Sequence, residues 1–197
     1  MGSYLNPGNK GFQESLNSEI YVDKTGLIEK TNAVLDTRQK FLCVSRPRRF
    51  GKSMAADMLA AYYERGEDAD LLFRSLKISK AESYRAHLNQ YDVIKVNIQE
   101  FLSMTGSMDE MLSMLKKYLV FDLMEHFDDV RFRDESNLIQ VMKDIYAKAK
   151  RAFVILIDEW DCLFREYKQN KEAQKKYLDF LRAWLKDKDY VALAYMT

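Results

Sequence analysis

The stretch from Phe41 to Ser53, FLCVSRPRRFGKS, decides the fold. It starts as an apolar run, turns through a basic segment and closes on Gly51-Lys52-Ser53. These last three residues match the end of the phosphate-binding pattern G-x-x-x-x-G-K-[ST]. Arg46 stands at the position of the first glycine of that pattern. An apolar-periodic segment follows the loop. The stretch therefore predicts a strand, a phosphate-binding loop and a helix, in that order.

The residue types of this loop suit an anion. Gly51 lets the backbone approach a phosphate closely, and the N–H groups at the start of the next helix point toward negative charge. Lys52 is placed to reach the β and γ phosphates of a nucleotide, and Ser53 to hold Mg²⁺. Pro47 lacks an N–H donor and Arg46 cannot adopt positive φ as cheaply as glycine, so the loop departs from a standard cradle. A basic surface turn that contains GKS is the alternative interpretation.

The composition is that of an ordinary globular protein, and 197 residues are enough for one substantial core. Lys and Arg total 31 against 30 Asp and Glu, so net charge gives no argument for binding to nucleic acid or membrane. No apolar run is long enough to cross a bilayer and no secretory leader is visible, which predicts a cytoplasmic protein. Cys43 and Cys162 are expected to be buried, reduced thiols, and the two histidines lack the spacing of a zinc site.

Strand-like and helical segments alternate along the chain. Besides 41–44, apolar runs predict strands at 93–98, 152–157 and 190–196, with a shorter candidate at 20–22. Residues 1–11 are predicted to be a loose start or an extended arm, and helical patterns lie at 26–35, 52–64, 81–90, 107–123, 138–146 and 171–186. The alternation predicts an α/β fold with a mostly parallel sheet covered by helices on both faces. The run at 152–157 is apolar on both faces, which places it at the centre.

Two acids follow this central strand. Asp158 is placed to hold Mg²⁺, and Glu159 to orient and deprotonate an attacking water. The alternative is that the acids only mark where the strand meets solvent. Combined with GKS upstream, they favour a nucleotide site.

Other polar residues near the strand ends are weaker candidates. Thr197 ends the last strand, where a polar group can touch the γ-phosphate or the attacking water, the position called sensor 1. Asp161 either supports the metal site indirectly or pairs with Arg165 on one helical turn, and the pairing is favoured.

These motifs together resemble the prokaryotic AAA-ATPase-like proteins, which often carry a C-terminal nuclease-like domain of the PD-(D/E)XK superfamily. The resemblance rests on YVDKT at 21–25, SRPRRFGKS at 45–53, LF at 72–73 with LKI at 76–78, and LIDEWD at 156–161. These motifs span nearly the whole chain. RPRRFGKS is itself a signature of the family, so Arg46 in place of glycine is a family feature.

The resemblance implies a P-loop NTPase of the additional-strand, catalytic-glutamate type, with the strand at 190–196 lying between the loop strand and the Asp158 strand. It implies that Lys52 and Ser53 of the Walker A motif contact phosphate and Mg²⁺, and that Lys52 also assists catalysis. It also implies two Walker B acids, of which Asp158 holds the metal and Glu159 is catalytic. The residues expected to contact the nucleotide are Arg46, Pro47, Arg48, Arg49, Phe50, Gly51, Lys52, Ser53, Asp158 and Thr197. Asp23 and Lys24 match an N-terminal motif that either packs near the nucleotide base or fixes the arm.

The domain expected from the resemblance spans 1–197, with an N-terminal arm to about residue 38. A lid subdomain and a nuclease-like domain are expected to be missing from a fragment of a longer protein, so no nuclease activity is assigned to this chain. A homo-oligomer, with an arginine finger from a neighbouring subunit, is compatible with this organisation.

Three functions are consistent with the sequence. The first is a Mg²⁺-dependent ATPase, in which ATP is preferred over GTP on the resemblance alone. The second is a non-hydrolysing, nucleotide-dependent switch or interaction module. The third is nucleic-acid binding through Arg46, Arg48 and Arg49, serving the full-length protein.

Overall fold

A parallel sheet organises the chain, as its apolar runs predict. A computed structural model describes residues 2–45, 51–66 and 68–197. Within these residues the strands are β1 (Phe41–Cys43), β2 (Asp92–Asn97), β3 (Phe153–Asp158) and β4 (Val191–Met196). They lie in the order β1-β4-β3-β2, and every pair is parallel. The predicted α/β class is confirmed, and the last strand lies between the loop strand and the Asp158 strand.

Helices connect the strands and cover the sheet. Their bounds are α1 Lys10–Leu16, α2 Gly26–Asn32, α3 Lys52–Tyr63, α4 Asp70–Phe73, α5 Tyr84–His87, α6 Ile98–Ser103, α7 Met108–His126, α8 Leu138–Ala149, α9 Cys162–Glu166 and α10 Lys171–Leu185. A 3₁₀ turn spans Lys77–Lys80. Parallel strands need such crossovers, because no short hairpin can join them.

The central strand, β3, packs against helices on both faces. Phe153, Ile155 and Ile157 belong to a core shared with α6 to α10, whereas Val154 and Leu156 belong to a core shared with α1 to α5. Successive side chains of a strand point to opposite faces, so an unbroken apolar run serves both cores. All six residues of β3 are buried.

The strand register brings the carboxyl ends of three strands to one edge of the sheet. Asn97 of β2 pairs with Asp158 of β3, and Ile157 pairs with Met196 of β4. Ligands of open parallel sheets bind outside this edge, because the loops that leave the strands converge there.

The N-terminal residues cover an edge of the sheet. Leu5 is buried and bridges Ile94 of β2 in antiparallel fashion, and the Lys95 N–H donates to the Tyr4 carbonyl at 2.8 Å. Residues 2–6 therefore pair locally with β2 and occupy backbone groups of this edge strand. The helix α1 was not predicted, and the predicted strand at 20–22 is wrong, because this segment pairs with no strand among the described residues.

The predicted helix at 81–90 is also wrong, since α5 has only four residues. Asn89 adopts φ 56, and its amide nitrogen donates to the Glu64 carbonyl at 2.6 Å. Its amide oxygen accepts from the Ala69 N–H at 3.1 Å. These tertiary bonds to the segment after α3 replace the helical bonds that the local pattern favours.

A buried polar network ties α2 to α3. The Tyr63 hydroxyl donates to the Asn32 side-chain oxygen at 2.7 Å and lies 2.6 Å from the Thr31 hydroxyl. The Asn32 amide donates to the Tyr62 hydroxyl at 3.1 Å, and burial raises the pKa of Tyr62 to about 12. Such satisfied networks fix the relation of two helices, and this one holds α2 beside the helix that follows the loop.

Candidate functional site

A cleft of about 590 Å³ lies at the carboxyl edge of the sheet. It is lined by Gly51, Lys52, Ser53, Met54, Asn97, Gln99, Glu159, Arg165 and Glu166. The cleft thus joins the end of the predicted phosphate loop to the predicted catalytic acid, two motifs about a hundred residues apart in sequence. A larger groove of about 700 Å³ runs beside α7, α8 and α10, but none of the predicted site residues line it.

The last residue of the loop, Gly51, adopts a conformation that favours glycine. Gly51 adopts φ 74 and ψ 36, a left-handed conformation that glycine reaches without steric cost, and α3 begins at the next residue, Lys52. Lys52 is half-buried and Ser53 is exposed. The other predicted nucleotide contacts of the loop, Arg46, Pro47, Arg48, Arg49 and Phe50, lie outside the described residues.

The acidic pair occupies two different environments. Asp158 is the last residue of β3, is only 3% exposed, and accepts a hydrogen bond from the Glu159 N–H at 2.9 Å. Glu159 is half-buried and adopts φ 51, which is a strained conformation for a residue with a Cβ. Strain of this kind costs about 1–3 kcal/mol and clusters at functional sites.

Arg165 holds two of the nearby carboxylates. One guanidinium nitrogen donates to Asp161 at 2.6 Å, which confirms the predicted pairing on one helical turn. The other donates to Glu159. Burial alone would lower the pKa of Arg165, but these two carboxylates raise it. The sequence did not predict the pair of Arg165 with Glu159, because Glu159 lies before the start of α9 and the spacing rule for pairs within a helix does not apply to it.

Thr197 carries a buried hydroxyl without a hydrogen-bond partner among the described residues. The residue is 1% exposed, its N–H donates to the Ile157 carbonyl at 2.9 Å, and its carbonyl accepts from the Trp160 N–H at 3.3 Å. It therefore lies beside the turn that carries Asp158 and Glu159. An unsatisfied buried hydroxyl is uncommon, and it suits a site that receives a polar ligand or water.

Asn97 is a residue of the cleft that sequence reasoning passed over. It ends β2 opposite Asp158, and its side-chain oxygen accepts from the N–H groups of Gln99 at 2.9 Å and Glu100 at 3.4 Å. The sequence feature that could have identified Asn97 is the same as for Asp158, because both are polar residues at the end of a buried strand.

The remaining sequence predictions concern the two cysteines, a metal centre and membrane-spanning helices. Cys162 is buried and free, and burial raises its pKa to about 12, whereas Cys43 is free but exposed, contrary to the expectation of burial. Across residues 2–45, 51–66 and 68–197, no three His, Cys, Asp or Glu side chains gather as a metal centre. In the same part of the chain, the helices are too short or too polar to cross a membrane.

Comparison with known proteins gives two similarities. A family model described as "AAA-ATPase_like: Predicted AAA-ATPase" matches residues 8–193. An "Uncharacterized protein in vnfD 5'region" of Azotobacter chroococcum mcd 1 is 25% identical over 177 residues, which cover 86% of this chain and 31% of that protein. The chain thus spans less than a third of this relative's length. No solved structure matches. Because the family model covers almost the whole chain, the chain belongs to the predicted AAA-ATPase family.

Proposed function

We propose that this chain is the ATP-binding and Mg²⁺-dependent ATP-hydrolysing part of a larger protein. The observation that carries the proposal is the cleft that brings Lys52 and Ser53 together with Glu159. A lysine at a helix N-terminus binds phosphate, and a carboxylate in the same cleft can act on water, so one cleft supplies both requirements of phosphoanhydride hydrolysis. The family match supports an interaction with a nucleotide. That this nucleotide is ATP, and that the chain hydrolyses it, is our more specific proposal.

The residues proposed to bind Mg²⁺-ATP fit that ligand chemically. Lys52 would contact the β and γ phosphates, and Ser53 and Asp158 would hold the metal. A hydroxyl and a carboxylate are the hard oxygen donors that Mg²⁺ prefers, and the ion needs no dedicated cluster because water and phosphate oxygens complete its shell. When bound, the ion would neutralise charge on the phosphates. The loop residues Arg46 to Phe50 are proposed to complete the phosphate contacts.

The hydrolytic step is proposed to depend on Glu159. Its carboxylate would orient a water molecule and accept its proton, while Thr197 would offer its unpaired hydroxyl to the γ-phosphate or to that water. Lys52 would stabilise the charge that develops on the transferred phosphoryl group. The pair with Arg165 fixes where the Glu159 carboxylate lies before a nucleotide binds.

The test is phosphate release at saturating Mg²⁺-ATP by the chain and by Glu159→Gln, with binding measured by calorimetry. We expect the substitution to lower turnover by about 10²–10⁴-fold, the usual contribution of a general base, and to leave the dissociation constant nearly unchanged. Glu125→Gln, an exposed glutamate at the end of α7, is the matched control and should retain full turnover. Equal turnover in all three proteins would refute the assigned role of Glu159.

A non-hydrolysing, nucleotide-dependent switch is the second candidate. It is favoured by one observation, the engagement of Glu159 by Arg165, which occupies the carboxylate that hydrolysis requires. Saturable Mg²⁺-ATP binding without phosphate release in the wild-type chain would favour this candidate over the ATPase.

A further inference from the structure

Arg165 lies in the same cleft as the end of the phosphate loop. Among the described residues that line this cleft, Lys52 and Arg165 carry the positive charges. Lys52 opens α3, directly after the loop, whereas Arg165 belongs to α9, the helix that follows the acidic pair. A polyphosphate in the cleft would therefore meet positive charge from two separate elements of the fold.

Two carboxylates hold the guanidinium group of Arg165. One of its nitrogens donates to Asp161 at 2.6 Å, and another donates to Glu159. The arginine side chain is 32% exposed, and those of Glu159 and Asp161 are 26% and 41% exposed. Solvent and ligands can therefore reach both ion pairs, and ion pairs that are open to solvent contribute little to stability.

The two ion pairs differ in their position relative to the cleft. Glu159 lines the cleft together with Arg165, whereas Asp161 is outside the set of described residues that line it. An arginine presents five N–H donors in a planar fork, so one nitrogen can change its partner while another keeps its bond. Asp161 thus anchors the guanidinium group, and Glu159 holds the part of it that a ligand in the cleft can reach.

The terminal phosphate of a nucleotide is the group that would compete with Glu159 for Arg165. Glu159 is proposed to orient the water that attacks this phosphate, so the phosphate must lie near Glu159, and Arg165 is bonded to the same carboxylate. Phosphate oxygens are strong acceptors for a guanidinium group, and a terminal phosphate carries more negative charge than a carboxylate. A nucleoside diphosphate lacks this group.

We propose that Arg165 recognises the terminal phosphate of a nucleoside triphosphate by exchanging Glu159 for it, with Asp161 as the fixed anchor. The inference rests on the proposed nucleotide site and deepens it, since it names the residue that distinguishes a triphosphate from a diphosphate. The exchange releases the Glu159 carboxylate, so this acid becomes available to water only when a triphosphate is bound. The substrate itself thus removes the ion pair that occupies the acid before a nucleotide binds.

The test is calorimetric titration of the 197-residue chain with Mg²⁺-ATP and with Mg²⁺-ADP, for the wild type and Arg165→Met. Methionine keeps an unbranched apolar stem and removes the charge and all the N–H donors of the side chain. We expect the dissociation constant for ATP to rise by about 10- to 100-fold, as for loss of one charge-assisted hydrogen bond. The constant for ADP should change much less, and retained binding of ADP also shows that the variant is folded.

The same substitution is then made in a Glu159→Gln background. Glutamine carries no negative charge, so Arg165 has no ion pair with residue 159 to lose there. If Arg165 contacts the phosphate, Arg165→Met still weakens ATP binding by about 10- to 100-fold in this background. If Arg165 acts only by holding Glu159, the substitution leaves ATP binding unchanged there, and the inference is overturned.

Two further variants separate recognition of phosphate from general effects of charge and folding. Arg182→Met removes an exposed arginine of α10 that pairs with Asp179 at 3.1 Å, and it should leave both affinities unchanged. Arg165→Gln lacks the charge but keeps a polar donor for the neighbouring carboxylates, and it should show the same selective loss of affinity for ATP. The result therefore does not depend on the folding of a single variant.

The outcomes distinguish this inference from the proposed function. If Lys52→Ala loses ATP binding but both Arg165 variants bind ATP like the wild type, the inference is overturned and the nucleotide site stands. An equal loss of affinity for ATP and ADP would also overturn it, because Arg165 would then not distinguish the terminal phosphate. If the wild-type chain binds neither nucleotide, the proposed function itself fails, and the inference fails with it.

Discussion

Glu159 combines a strained backbone with a charged side chain in a cleft. Its φ of 51 lies in the left-handed region, where a Cβ is unfavourable and glycine is not. A turn that only had to end β3 would be more stable with glycine at this position. The glutamate at this position therefore costs stability relative to glycine.

Because of this strain, we expect glycine to be more stable than alanine at position 159, which is the reverse of the order expected within a helix. Glu159→Ala and Glu159→Gly both remove the carboxylate and its pair with Arg165, but only glycine relieves the backbone. We expect the glycine variant to be more stable than the alanine variant by about 1 kcal/mol in urea unfolding.

Lys175, which is exposed within α10, provides the matched control. There Lys175→Gly should be less stable than Lys175→Ala by about 0.5–1 kcal/mol, because a right-handed helix disfavours glycine. The same order at both positions, with alanine more stable, would show that Glu159 carries no backbone strain.

At the scale of the element, the hydrogen bonds of Asp23 join the start of α2 to the 3₁₀ turn Lys77–Lys80. Three donors from Thr25 and Lys77 converge on one carboxylate, and the charged form accepts them best. This junction fixes the start of α2, which the buried network of Asn32 and Tyr63 also ties to α3.

The lowered pKa of Asp23 gives this junction a defined pH dependence. A carboxylate whose folded pKa lies below its unfolded value stabilises the protein above the unfolded value, about 3.9, and loses that contribution as pH falls through the folded one. We expect Asp23→Asn to be less stable than the wild type near pH 6, with the difference in unfolding free energy shrinking below about pH 4. Urea unfolding across this range measures it.

An exposed carboxylate is the control for that series. Asp128→Asn should show a small difference from the wild type that stays nearly constant with pH. A difference for Asp23→Asn that does not decrease in acid would contradict the assignment of a charged, hydrogen-bonded Asp23.

The strands were predictable because each is a local apolar run, and β3 at 152–157 was placed at the centre for the same reason. What could not be predicted depends on contacts between distant segments. The ion pair of Glu159 with Arg165 arises from a left-handed turn, and the approach of Lys24 to Gly51 arises from packing of α2 beside α3. The four-residue α5 is short because Asn89 bonds to the end of α3.

At the scale of the whole molecule, the candidate site exists only when the parallel sheet has formed. Lys52 follows β1 through the loop, Glu159 follows β3, and Thr197 follows β4, so three separated segments meet at one edge. Trp160, half-buried beside Glu159, is bonded through its N–H to the Thr197 carbonyl. The indole is therefore a natural reporter of ligand binding at this edge.

The most direct measurement is a titration of the chain with Mg²⁺-ATP, followed by tryptophan fluorescence and confirmed by calorimetry, for the wild type and Lys52→Ala. Lys30→Ala is the matched control for loss of a lysine. We expect a saturable change in the wild type and in the control that Lys52→Ala loses. Binding of equal affinity in Lys52→Ala, or no binding by the wild type in either measurement, would contradict the nucleotide site.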